Sequence, residues 1–255
     1  MSESFDDLVR DAEAAPFSGW DFSYLAGRFD EGTPSWDYRT KVAARMKGID
    51  TMLDIGTGGG EVLSSLQPLP PKTFASEQYR PNVQVARERL SPLGVEVVEV
   101  ESESHLPFES GYFDLIIDRH EEYSAQEVSR LLHPGGLFVT QQVGGFNMDE
   151  LNQLLQKKVN GKTTHSNESW SLPKASAALR AAGLGIVESM GKTFPSFFHD
   201  VGAVVYFLKN APWEVPDFDT KKYRAPLVDL HQGIRRTGSL KATSSRFYIE
   251  AVKPT

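Results

Sequence analysis

The chain has 255 residues and no cysteine. That excludes a disulfide framework, a thiolate nucleophile and a sulfur-ligated zinc site, and it fits a reducing compartment. Positive charge is also scarce: 27 Lys and Arg stand against 34 Asp and Glu, for a net charge of -7. A broad basic face for nucleic acid is therefore not expected, and a small molecule is the expected partner. No apolar run approaches the ~20 residues that span a bilayer. The acidic start, Met1 to Asp7, has no basic region leading into an apolar stretch, so a cytoplasmic location without membrane association is the expectation. No internal repeat or low-complexity segment occurs, and 40% hydrophobic content is enough for one sizeable core.

Apolar strand candidates recur at regular intervals: Thr51 to Ile55, Lys72 to Ser76, Val95 to Val100, Phe113 to Asp118 and Leu137 to Val143. Between them lie helix candidates at Gly60 to Gln67, Arg80 to Leu90 and Ser124 to Leu132. Strands alternating with helices predict crossover units, hence a doubly wound α/β fold with a mostly parallel sheet and helices on both faces. Ligands of such sheets sit beyond the carboxyl ends of the strands. Upstream, residues 4 to 14 predict an amphipathic helix behind Ser4, and Asp37 to Lys47 predicts another. Downstream, helices are expected over Met148 to Val159, Pro173 to Ala182, Val201 to Leu208 and around Leu227 to Ile234. Strands are expected over Gly185 to Met190 and Arg246 to Lys253.

The most informative stretch is Thr51-Met52-Leu53-Asp54-Ile55-Gly56-Thr57-Gly58-Gly59-Gly60-Glu61. A strand that stops and turns into a helix within a few residues needs backbone angles open mainly to glycine, and a ligand resting on bare backbone leaves no room for Cβ. A phosphate loop would need a lysine where Val62 stands. A dinucleotide fingerprint would need a small residue where Glu61 stands, and that carboxylate would face the helix end meant for pyrophosphate.

Asp54-x-Gly56-x-Gly58-x-Gly60 resembles the first motif of the class I methyltransferases that use S-adenosylmethionine, of the type 11-like group, and the resemblance continues through residues 50 to 143. It implies a Rossmann-like seven-stranded methyltransferase fold as a single domain over residues 1–255. In that reading residues 1–39 form an N-terminal aromatic arm or lid, 40–143 the cofactor-binding core, and 144–255 a half that completes the sheet and the substrate region. It also implies that Gly56, Thr57, Gly58 and Gly60 seat the cofactor, with Asp54 near its amino end or merely tying the turn together. Glu77, ending the second core strand, would hold the ribose hydroxyls, since one carboxylate accepts two donors. Ser102-Glu103-Ser104-His105-Leu106-Pro107-Phe108 resembles the family's adenine segment. Ser102 stands where the family has an acid, so the adenine amine falls to Ser102, or to Glu101 or Glu103.

In that fold the residues after the fourth core strand, Asp118-Arg119-His120-Glu121-Glu122-Tyr123, face the transferred methyl. Asp118 and Arg119 would then help hold the cofactor. His120 could take a proton from the acceptor, with Glu121 orienting it or binding a cationic substrate, or the run could simply cap the next helix. No metal-ligand spacing is present, and no metal is expected. Arg39 could reach the cofactor's carboxylate, or stand exposed on its helix. The expected activity is methyl transfer to an oxygen or nitrogen of a small molecule. An RNA methyltransferase of the same fold and a cofactor-binding protein without transfer chemistry are the alternatives. The aromatic arm, the polar stretch Asn160 to Ser171 and Phe194-Pro195-Ser196-Phe197-Phe198-His199 are candidate substrate-selecting additions, or core packing.

Overall fold

The structure is a computed structural model, and it describes residues 4–160 and 170–255. One eight-stranded sheet runs in the order β1-β7-β8-β6-β5-β2-β3-β4. Its members are β1 (Phe29–Glu31), β2 (Thr51–Ile55), β3 (Lys72–Glu77), β4 (Glu96–Glu99), β5 (Phe113–Arg119), β6 (Leu132–Val143), β7 (Gly185–Phe198) and β8 (Leu240–Val252). Strands β2 to β6 pair in parallel, while β8 is antiparallel to both β6 and β7. Seven strands thus form the expected doubly wound sheet. The eighth, β1, comes from the aromatic arm and pairs antiparallel with β7.

Two apolar layers cover the sheet. On one face α2 (Tyr38–Arg45), α3 (Glu61–Ser64) and α4 (Arg80–Leu90) bury Val42, Leu63, Val83, Ala86 and Leu90 against Met52, Ala75, Ile117 and Val139. On the other, α5 (Ala125–Leu131) and α7 (Leu172–Ala181) bury Val128, Leu131, Ala175 and Leu179 against Leu53, Ile116, Phe138 and Ile249. Strands fully covered on both faces read as continuous apolar runs. That is why β2 and β5 stand out in the sequence.

A third cluster is built differently. Strand β7 is expected from the sequence over Gly185 to Met190 only, but β8 pairs with it through Phe198↔Leu240. The ladder between β6 and β8 reaches only Val143↔Arg246, so the far ends of β7 and β8 project past the carboxyl edge of the sheet. Helices α1 (Phe5–Ala14), α6 (Asp149–Asn160), α8 (Val201–Asn210) and α9 (Arg224–Thr237) pack around that projection, burying Leu8, Leu151, Phe198, Val204, Tyr206, Leu227 and Ala242. Local signals set these helices: Ser4 Oγ accepts from Asp7 N, Asp200 Oδ1 accepts from Ala203 N, and Gly238 ends α9 with φ 87°.

Smaller differences have local causes. Helix α3 stops at Ser64 rather than Gln67; Ser64 and Ser65 turn their hydroxyls back to the carbonyls of Glu61 and Val62, a competition that weakens helix interiors. Strand β6 begins at Leu132 rather than Leu137, with its ladder to β5 interrupted between those residues by His133-Pro134-Gly135-Gly136. Residues 161–169, most of the polar stretch named above, lie outside the described residues. Among the described residues no helix is long and apolar enough to cross a membrane.

Candidate active site

The glycine turn leaves β2 at the sheet's carboxyl edge with Gly56, Gly58 and Gly60 at φ 62°, 63° and 79°, the left-handed region that excludes most side chains. A Cβ on Gly56 would lie 2.2 Å from Glu121 Cγ, and one on Gly60 would lie 2.7 Å from Leu90 Cγ. The turn is tied to β3 from both sides. Thr57 N donates to the Ser76 carbonyl at 2.9 Å, and Gly58 N donates to Glu77 Oε2 at 2.7 Å. The other oxygen of Glu77 accepts from Tyr79 N, also at 2.7 Å.

Five carboxylates converge here from four strand ends: Asp54, Glu77, Glu103, Asp118 and Glu121. Four of them are buried and Glu121 is half-buried. Among the described residues none of the five forms an ion pair, and burial therefore dominates their protonation. It raises Asp54 to about 7, opposed mainly by Thr57, and raises Glu103 to about 7 against the Ser76 hydroxyl. Burial likewise raises Glu121 to about 7, Asp118 well above the carboxylate range, and Glu77 upward despite the amides it accepts from. Neighbouring acids add to the rises of Asp54, Glu103, Asp118 and Glu121. Glu103 Oε1 and Asp118 Oδ2 are buried with no hydrogen-bond partner among the described residues. The second oxygen of Glu103 accepts from Ser76 Oγ at 2.7 Å, while Asp118 Oδ1 accepts from Thr140 Oγ1 at 2.9 Å and from Gln142.

Unpaired buried carboxylates around bare glycine backbone suit a ligand that brings positive charge and donors. A sulfonium nucleoside carrying an ammonium group has that chemistry, so the residues fit the cofactor named above. A metal does not fit equally well: among the described residues no group of three or more His, Cys, Asp or Glu could hold an ion.

The sequence-predicted residues do not all meet. Ser102 is exposed and bonded to Ser104 Oγ, 2.7 Å away, whereas Glu103 turns inward. Arg119 lies on the α2 face of the sheet, opposite Gln141 in register. It is half-buried, its side chain has no ion pair or hydrogen bond among the described residues, and burial lowers its pKa. Arg39 is exposed on α2. His120 has φ 69°, a left-handed conformation that costs a non-glycine residue on the order of 1 kcal/mol. Its backbone N donates to the Gln141 carbonyl at 2.9 Å, and its Nε2 lies 3.2 Å from Gln141 Nε2. Burial first, then Arg119 and Arg246, hold its pKa well below the ordinary 6.5.

Gln141, Gln142 and Trp36 were missed as site residues. Trp36 Nε1 donates to Gln141 Oε1 at 2.9 Å, and Gln142 Nε2 donates to the Glu121 carbonyl at 3.0 Å. Two glutamines in succession at the end of a buried apolar strand were the available signal. The arm packs on the third cluster and also reaches the glycine turn. Phe17, Phe22, Tyr24 and Phe29 pack on the third cluster. Gly19 lies against Gly59 and Glu61, and Trp20 stands near Gly58 and stacks on Trp213 with centroids 5.9 Å apart. A cavity of about 90 Å³ lies between the arm and the start of α4, lined by Phe17, Ser18, Gly19, Tyr79, Pro81 and Asn82. In the segment Phe194 to His199, Phe194 and Phe198 are buried, the latter within the third cluster.

Residues 53–140 match the family described as "Methyltransferase domain". They are a methyltransferase domain. No curated protein matches the chain, but solved structures share its fold. A candidate methyltransferase from Bacillus halodurans is 19% identical, with 85% of this chain and 97% of that one covered and a TM-score of 0.60. A chain from the complex of the Haloferax volcanii Trm112 methyltransferase activator with a candidate methyltransferase is 19% identical, with both chains fully covered and a TM-score of 0.52. Geranyl diphosphate methyltransferase in complex with SAM is 15% identical, with 84% of each chain covered and a TM-score of 0.50. The matched residues run from within β2 into β6, and the arm, the projecting hairpin and the helical cap lie outside them.

Proposed function

We propose that this methyltransferase moves a methyl group from S-adenosylmethionine to an oxygen or nitrogen of a small molecule. The observation that carries the reading is the ring of unpaired buried acids over a glycine turn, within a chain whose net charge of -7 disfavours a polyanionic acceptor. When bound, the cofactor supplies a methyl group on a positively charged sulfur. Gly56, Thr57, Gly58 and Gly60 give it a side-chain-free seat, Glu77 has lone pairs left for the ribose hydroxyls, and Glu103 Oε1 is free for the adenine amine. Asp54 and Asp118 offset the positive charge, with Arg119 beside them. The loop Asp118 to Glu121 faces the acceptor.

Transfer from a sulfonium needs mainly alignment and exclusion of water around the nucleophile. Trp20 and Trp213 over the turn, and the wall made by β7, β8 and the helical cap, supply that enclosure. Calorimetric titration with S-adenosylmethionine and with NAD tests the reading. Binding of the first in preference to the second is expected; no binding, or tighter NAD binding, would overturn it.

A further inference from the structure

The side chain of Trp36, in the arm, reaches the loop that faces the acceptor through one intermediary. An indole N–H can only donate, so the atom of Gln141 lying 2.9 Å from Trp36 Nε1 is the amide oxygen. That fixes the other end of the amide: the NH2 group points at His120 Nε2, 3.2 Å away. An NH2 donor facing a ring nitrogen requires a lone pair there. A second proton on His120 would set two donors against each other. The ring is therefore neutral, with its hydrogen on Nδ1, which has no partner among the described residues.

We propose that Trp36 and Gln141 are positioning residues that hold His120 as the neutral Nδ1–H tautomer, so that it presents a donor to the methyl acceptor and is not the base that removes the acceptor's proton. A base needs a free lone pair, and the one on His120 is already taken. The charged groups acting on the ring, Arg119 of β5 and Arg246 of β8, are both cations and oppose a second proton.

The consequence for the acceptor rests on the methyltransferase reading. The class served is one whose nucleophile holds its lone pair at neutral pH: an uncharged amine nitrogen or an already ionised oxygen. The acceptor's pair then forms the bond to the methyl carbon as the carbon–sulfur bond breaks and leaves its pair on sulfur. A proton on a methylated amine departs afterwards to solvent, and none reaches His120.

The state of the histidine can be read without any ligand, so failure here is distinguishable from failure to bind S-adenosylmethionine. Protein labelled with 15N-histidine is examined by two-bond proton–nitrogen correlation, with His120 assigned by the signal lost in His120→Asn. The expected wild-type result is the Nδ1–H pattern, unchanged from about pH 8 down to about pH 5. Trp36→Phe keeps an aromatic ring but removes the N–H. It should free the amide of Gln141, mix the tautomers and move the titration toward 6.5. An Nε2–H pattern, or titration near 6.5 in the wild type, overturns the proposal whether or not the variant folds. So does a folded Trp36→Phe protein whose His120 signals are unchanged.

Discussion

The two sides of the crevice at the sheet's carboxyl edge are electrostatic opposites. Under β2, β3 and the segment after β4 lie Asp54, Glu77 and Glu103, which are joined by Asp118 at the end of β5 and Glu121 just beyond it; none of them has an ion-pair partner among the described residues. On the other side, toward β6 and β8, stand the donor-bearing Gln141 and His120, and Arg246, which is paired with Glu31. The first side suits a cation. The second suits the lone pairs of whatever receives the methyl group. A sheet with one ligand end can thus hold a positively charged donor and an electron-rich acceptor side by side, with the step between β5 and β6 as the divide.

The comparison can be broken most forcefully at Gly56. In Gly56→Ala a side chain would enter left-handed backbone 2.2 Å from Glu121 Cγ. S-adenosylmethionine binding should vanish and the thermal midpoint fall; retained binding by calorimetry would show that the bare backbone is not the seat.

Next is Glu77→Ala, which frees the amides of Gly58 and Tyr79 as well as removing the proposed ribose partner. Affinity should drop by roughly tenfold or more, as expected for lost charge-assisted hydrogen bonds. Equal affinity in the variant would remove Glu77 from the cofactor's partners.

The acids also predict a dependence of stability on pH. Asp54, Glu103 and Glu121 titrate near 7 when folded, against 3.8 to 4.5 for ordinary Asp and Glu. The folded chain then binds more protons than the unfolded chain between about pH 4 and 7, so stability is fully present below that window and is lost as pH rises through it. Thermal midpoints of the free protein should fall from pH 5 to 7.5. A rise over that interval would mean that these acids are not proton-bound in the fold.

The smallest effect is expected from Trp20→Ala. Trp20 is 38% exposed and stacks on Trp213, itself 47% exposed, so stability should change by about 1 kcal/mol or less. Release of S-adenosylmethionine should quicken, as stopped-flow kinetics would show. An unchanged release rate would leave the arm as packing alone.

The acidic side was far more legible in the sequence than its counterpart. Asp54, the three glycines and Glu77 sit within one strand–turn–helix–strand unit, where spacing alone fixes neighbourhood. One position on that side departs from the family's pattern: in the turn after β4, Glu103 is buried while Ser102 faces solvent. The opposite side is assembled from Trp36, His120, Gln141 and Arg246, which meet only because β8 inserts between β6 and β7 and the arm crosses the α2 face. No local spacing encodes those meetings. The same holds for β1, whose three residues become a strand only beside β7, and for the far half of β7, which pairing with β8 carries past Gly191 and Pro195. Capped helices were readable because their determinants are local: Ser4, Asp37, Ser124 and Asp200 each accept from the backbone amide three residues on.

The central claim is that the acidic side is a seat for a cation. Its most direct test is calorimetry of S-adenosylmethionine binding at about pH 6.5 in buffers of different ionisation enthalpy. A positive ligand should drive protons from acids that titrate near 7. The observed binding enthalpy should therefore vary with the buffer in the direction of net proton release, and the effect should fade above about pH 8.5. Binding without proton exchange, or with proton uptake, would contradict the account.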